Sequence, residues 1–147
     1  MRFVSTRGAD GAALSEAIRA GLAADGGLFV PEALPRVAAE GPPGDLPREA
    51  ARFLRPFFAG DPLEPHLDAV CREALDVPCP LVDIGGGDFL LELFHGPTAA
   101  FKDFGARFLA ACLARLGAGR RTVMVATSSP RRRAARASAT RPTSRRV

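Results

Sequence analysis

The chain has a single lysine, Lys102, among 147 residues that otherwise draw every positive charge from arginine. Any chemistry that needs a side-chain primary amine therefore has one address. No apolar run approaches the roughly 20 residues that cross a bilayer, and the opening MRFVSTRGADG lacks the apolar stretch of a secretory signal. The expectations are a chain with no membrane partner and a cytoplasmic location. Cys71, Cys79 and Cys112 are odd in number and show no CxxC spacing, so neither a disulfide framework nor a metal site is assigned. Cys71 and Cys112 fall in helical patterns, where a reduced thiol serves as a small apolar group. The last 17 residues hold seven arginines and no acid. Such a tail suits nucleic acid or an anionic membrane. It lacks interleaved aromatics and any nucleic-acid motif, however, which argues against a nucleic-acid partner. The tail also hides the charge of the rest. Positions 1 to 130 set 13 basic residues against 16 acidic, so the body is about −3 and the tail +7.

What the chain does have is apolar content, 47% of its residues, enough for one ordinary core and one domain to one and a half. Residues 2 to 6, RFVST, read as a short strand followed by a turn around Gly8 and Gly11. Leu14, Ala17, Ile18, Gly21 and Leu22 recur at helical spacing, which predicts a helix over 13 to 24 that ends at Asp25-Gly26-Gly27. LFVP is a short extended piece. A connection rich in proline and glycine leads to a helix starting near Pro47, whose apolar face is Ala50, Phe53, Leu54 and Phe57. Pro56 should kink or stop it, because an interior proline removes a hydrogen bond and crowds the preceding turn. Asp61-Pro62-Leu63-Glu64 has the acid, proline and glutamate of a helix start. Leu63, Leu67, Val70, Cys71, Ala74 and Leu75 then mark the stripe of a third helix that ends before Pro78.

Two extended runs follow, 81 to 84 and 89 to 94, separated by GGGD. The triple glycine reads as a hairpin turn rather than a phosphate cradle, since no helical pattern begins directly after it. From 101 onward Phe101, Phe104, Phe108, Leu109, Cys112, Leu113 and Leu116 share one helical face, with Gly117 and Gly119 as the stop. TVMVATS, 122 to 128, is a continuous apolar run of the kind buried on both faces. Strand, helix and strand over this span form a βαβ unit and imply a parallel sheet. Beyond Ser129 the chain has no bulky apolar residue before its last position, so residues 129 to 147 are expected to be a disordered basic tail.

Three roles are open to Lys102: a solvated surface charge, a partner for phosphate or carboxylate, or a nucleophilic amine that condenses with an aldehyde. Its position favours the third. It begins a helix after a strand and a tight HGPT turn, at the sheet end where α/β proteins bind ligands. Helix N-terminal amides and the aromatic walls of Phe101 and Phe104 should disfavour a charged ammonium there.

STRG near the start, DGGLFVPEALP at 25 to 35, FLRPFFAGD at 53 to 61 and LLELFHGPTAAFKDFGARF at 90 to 108 closely resemble the threonine synthase family. These pyridoxal-phosphate enzymes convert O-phosphohomoserine and water to threonine and phosphate. The resemblance covers about residues 1 to 128. It implies an α/β fold: a partial three-layer sheet of the tryptophan synthase beta-like class, fold type II, with a helical N-terminal region. It also implies a domain order of 1 to 80 as the N-terminal domain, 81 to 128 as the start of the cofactor-binding domain, and the tail. Lys102 matches the lysine that holds pyridoxal 5'-phosphate and then moves protons at the substrate carbons. Asp103 follows it in the family motif and is either a favourable charge in the helix's first turn or a direct participant. His95 either contacts the cofactor region or braces the turn. Thr98 either donates a hydrogen bond near the site or caps the helix.

The pattern breaks after the strand. Where the family continues into SGDTG, a turn suited to anionic substrate groups, this chain has Thr127 and Ser128, then Ser129-Pro130 and the arginines. The tail's composition is what a shifted frame through GC-rich coding sequence would give. A truncated or frameshifted threonine synthase is therefore expected, with strands that lose their neighbours and expose apolar edges. Two alternatives stand beside an incomplete, inactive fragment of the enzyme. One is a non-catalytic remnant or interaction module that uses the basic tail. The other is a fragment of a related pyridoxal-phosphate lyase acting on another amino acid.

Overall fold

The computed structural model describes residues 1–37 and 44–117. Among these, residues 1–77 with 104–117 form one compact unit and residues 78–103 form a second. The strand expected at 122 to 128, the parallel sheet it would complete, Thr127, Ser128 and the basic tail lie outside the described residues.

The first unit begins with a small antiparallel sheet in the order β2-β1-β3. Its strands are β1 (Arg2–Ser5), β2 (Ala12–Ala13) and β3 (Phe29–Pro31). Val4 faces Val30 across the β1–β3 ladder, and Phe3 faces Ala12 across β1–β2. Helix α1 (Leu14–Ala20) is shorter than the predicted 13 to 24, because Gly21 adopts φ 74 and turns the chain out of the helix. Ala13 has no side-chain oxygen to cap α1. Glu16 accepts from the Ala13 amide at 2.9 Å, and Asp61, distant in sequence, accepts from the Ser15 amide at 2.9 Å. The helix start is thus satisfied partly from within and partly by tertiary contact.

Helix α2 (Leu46–Phe58) is capped by Asp45, whose carboxylate accepts from the Arg48 amide at 3.0 Å. Pro56 does not stop it. The proline sits in the last turn, where little helix remains to be disrupted, and the helix runs on through Phe58. The predicted start at Asp61 is present, but its first turn is a 3-10 turn, Glu64–His66, before α3 (Leu67–Ala74) begins. Asp61 accepts from the Leu63 amide at 3.0 Å, and Glu64 reaches back to the Gly60 amide at 2.7 Å.

The predicted stripe of α3 is the centre of the core, with Leu63, Leu67, Val70 and Cys71 fully buried. They cluster with Phe3, Leu14, Ala17, Ala51 and Phe58, with Ala111 and Cys112 of α4 (Lys102–Arg115), and with Leu116 just beyond it. Phe108 meets Phe58 edge-on at 6.2 Å between ring centroids. Three arginines tie α4 into this unit, Arg107 and Arg19 through helix-terminal carbonyls, where cations are favoured, and Arg115 through a carboxylate. Arg107 donates to Ala74 O at 2.7 Å and Glu73 O at 2.9 Å, Arg115 pairs with Glu73 at 2.9 Å, and Arg19 donates to Leu116 O.

The second unit is built on an antiparallel hairpin, β4 (Leu81–Gly85) and β5 (Asp88–Leu91). Val82 faces Leu90, and the register slips by a bulge between Asp83 and Gly85. Gly85, Gly86 and Gly87 have φ of 91, 68 and 88, three successive left-handed residues that only glycine adopts cheaply. This is the turn predicted from GGGD. The second strand ends at Leu91 instead of 94, although one further bond, Glu92 N–H to Pro80 O at 3.0 Å, extends the pairing.

Among the described residues no helix is long and apolar enough to cross a membrane.

Candidate functional site at the start of helix α4

Lys102 is the first residue of α4 and is exposed. Its Nζ lies 4.7 Å from the centroid of the Phe101 ring. The aromatic contact therefore differs from the enclosing wall expected from sequence. Phe101 is itself 62% exposed, and a ring face attracts an ammonium instead of walling it off from water. Phe101 accordingly precedes the helix and takes no part in its buried face. Among the described residues no carboxylate forms an ion pair with Lys102.

The residue beside it behaves in the opposite way. Asp103 is only 4% exposed, and its carboxylate turns back onto the HGPT turn. The Thr98 amide donates to Oδ2 at 2.8 Å and the Thr98 hydroxyl donates to Oδ1 at 2.6 Å. Gly96 packs directly against the same carboxylate: a Cβ there would stand 2.9 Å from Asp103 Cβ and closer still to Oδ2. The turn is closed by Ala99 N–H to Gly96 O and continued by Asp103 N–H to Ala100 O, both 3.0 Å. Ala99 sits at φ 55, the left-handed region that a non-glycine residue enters at a cost of about 1 kcal/mol or more. A strained residue is thus held between two hydrogen-bonded turns, directly before the lysine.

His95 is set apart from this cluster. Its Nε2 shares a hydrogen bond with Glu92 Oε2 at 2.7 Å, and its ring lies 4.7 Å from that of Phe94. Glu92 was not singled out in the sequence, although its position three residues before a histidine was a readable signal. Gly96 was also missed. Its role becomes visible only when the carboxylate that fills its side-chain space is in view.

The N-terminal motif pieces meet in the first unit. The Ser5 hydroxyl donates to both oxygens of Asp25, at 2.8 and 3.0 Å, and the Gly27 and Ala9 amides add bonds of 2.9 Å each. The Gly27 amide, followed by the Ser5 hydroxyl, holds the Asp25 carboxyl below its ordinary 3.8 against the opposing effect of burial. STRG and DGG are therefore two halves of one knot that closes the loop between β1 and β3. No lysine, histidine or cysteine takes part in these four bonds, and the knot's chemistry is that of a turn.

The fold and site define an α/β segment that presents one exposed amine on the first turn of a helix, behind a turn locked by a buried carboxylate. Residues 2–75 match the family described as threonine synthase N terminus, and the chain belongs to that family. It is 41% identical over 117 residues to threonine synthase of Haemophilus influenzae, covering 78% of this chain and 28% of that protein. Identity to the Pseudomonas aeruginosa threonine synthase is 40% over 141 residues, 88% of this chain and 30% of the relative. Among solved structures, PLP-bound threonine synthase from Brucella melitensis is similar at a TM-score of 0.66 and 38% identity, covering 80% of this chain and 28% of that one. Threonine synthase from Escherichia coli gives 0.71 and 30%, with 79% and 28% coverage. The chain thus spans less than a third of the length of these relatives.

Proposed function

We propose that this chain is the lysine-bearing N-terminal portion of a cytoplasmic, pyridoxal-phosphate-dependent lyase of the threonine synthase type. The reaction takes O-phospho-L-homoserine and water to L-threonine and phosphate. It is proposed for a protein of the relatives' full length, of which this chain spans 28 to 30%. The carrying observation is that the only lysine stands exposed on the first turn of α4. In this reading residues 1 to 80 are the N-terminal domain. Residues 81 to 128 open the three-layer, fold-type-II domain that receives the cofactor.

The residues present fit such a group. The amine is accessible and, among the described residues, not held by an acid, so no ion pair must be broken before it reacts. Lys102 would hold the cofactor through Nζ and, when displaced by the substrate's amine, carry protons at the substrate's α and β carbons. Bound pyridoxal phosphate supplies the electron sink for that carbanion chemistry. Asp103 and Thr98 keep the lysine's backbone in place, and the Glu92–His95 pair braces the strand exit. Thr127 and Ser128, outside the described residues, are proposed to bind the substrate or brace the site.

The test is chemical. Incubation of the chain with pyridoxal phosphate, reduction with borohydride and peptide mapping should put a pyridoxyl group on Lys102, and none at that position in Lys102→Arg. A parent chain that carries no label at Lys102 would overturn the reading.

A further inference from the structure

We infer that Asp103 is a positioning residue for Lys102, acting as a clamp through Thr98 and not as an acid, a base or a countercharge. The inference rests on the reading of Lys102 given above and adds a role for its neighbour.

Four observations carry it. First, Asp103 and Lys102 are adjacent on a helix, where successive side chains diverge by about 100°; one is buried and the other exposed. Second, each carboxylate oxygen of Asp103 accepts a bond from Thr98, one from the amide and one from the hydroxyl. Third, Gly96 leaves no room for a side chain where the carboxylate lies. Fourth, Ala99 is held at φ 55 inside the loop that the clamp closes, a conformation that persists only where its surroundings enforce it. Release of the carboxylate would let the 96–101 loop relax and take the backbone of Lys102 with it. The amine would then be carried on a mobile backbone, and its effective concentration at any bound aldehyde would fall.

The hydrogen-bond inventory makes the role testable. Asparagine at 103 can still accept from the Thr98 amide through its oxygen, while its amide group donates to the Thr98 hydroxyl oxygen. Both bonds survive and the charge does not. Alanine removes both, and Thr98→Val removes one.

The experiment compares the parent chain with Asp103→Asn, Asp103→Ala and Thr98→Val by two readouts. The rate of borohydride-trapped pyridoxal phosphate labelling at Lys102 is normalised to labelling of the Met1 α-amine, which lies in the other unit. It should stay within about threefold in Asp103→Asn and fall about tenfold in Asp103→Ala and Thr98→Val. Hydrogen exchange at the Thr98 amide, read without cofactor, should show protection in the parent and in Asp103→Asn, and a loss of about tenfold in Asp103→Ala. Equal exchange in all three overturns the clamp. So does a fall in Asp103→Asn as deep as that in Asp103→Ala, which would make the charge the active feature. Should the parent show a protected Thr98 amide and no label at Lys102, the functional reading fails, and the clamp loses its target with it.

Discussion

Leu63, Leu67 and Val70 in the first unit are 0% exposed, whereas Leu81, Ile84 and Phe89 on the hairpin of the second are 63, 63 and 59% exposed. The two regions have similarly apolar sequences and opposite fates. Residues 1–77 and 104–117 bring a sheet and four helical segments around one cluster, and their polar groups are satisfied by caps and arginine contacts. Residues 78–103 are held by a ladder, three left-handed glycines and the Asp103 clamp. A two-stranded hairpin without a covered face is marginal in water. The lysine assigned to the chemistry thus belongs to the unit with no core of its own, ordered by hydrogen bonds instead of burial. That is the usual division between scaffold and site.

Core truncation should separate the two regions most strongly. Leu67→Ala should destabilise by about 2 to 5 kcal/mol, as cavity-forming substitutions do, whereas Leu90→Ala on the hairpin should stay within about 0.5 kcal/mol. Urea unfolding followed by circular dichroism measures both. Equal losses would erase the distinction.

A smaller effect comes from pH. Burial, opposed by the nearby Arg115 charge, pushes the Cys112 thiol from its ordinary 9.0 up to about 11. A folded-state value above the unfolded one means that the contribution is fully present below pH about 9. It is lost as pH climbs toward about 11, by up to about 2 to 3 kcal/mol. Urea midpoints at those two ends should show the drop, and Cys112→Ala should reduce it, the remainder coming from Cys71, whose thiol is also pushed up by burial. A midpoint indifferent to pH would show the first unit's interior to be as wet as the hairpin.

The smallest expected change is at a surface cap. Asp45→Ala removes one exposed bond to the Arg48 amide and should lower stability by about 1 kcal/mol. A loss well above about 2 kcal/mol in thermal unfolding would mean that helix ends, and not the cluster around α3, carry the first unit.

Much of this contrast was legible in the sequence. The α3 stripe, the glycine hairpin and the lysine on a helix start follow from spacing and from residue types with narrow conformational uses. The helix ends were less legible. Gly21 was counted in a periodic pattern, yet its left-handed backbone ended α1 four residues early. Pro56 was expected to kink or stop α2, yet it sits in a last turn and the helix runs on through Phe58. Asp103 shows the deeper limit. Its one-dimensional neighbourhood suggests a first-turn charge, while its partners are a threonine five residues upstream and the empty side-chain position of Gly96. Periodicity cannot encode a contact that depends on how a loop folds back. The same holds for Asp61, whose bond to Ser15 spans 46 residues.

The Gly96–Asp103 contact carries a consequence for tolerated length changes. Since helix residues advance by about 100° each, one residue inserted between Thr98 and Asp103 would swing the amine to another side of the helix or break the clamp. Insertions and deletions should therefore be purged from this stretch even where conservative substitutions survive. Any methyl gained at 96 should need a shortened partner at 103 to accommodate it.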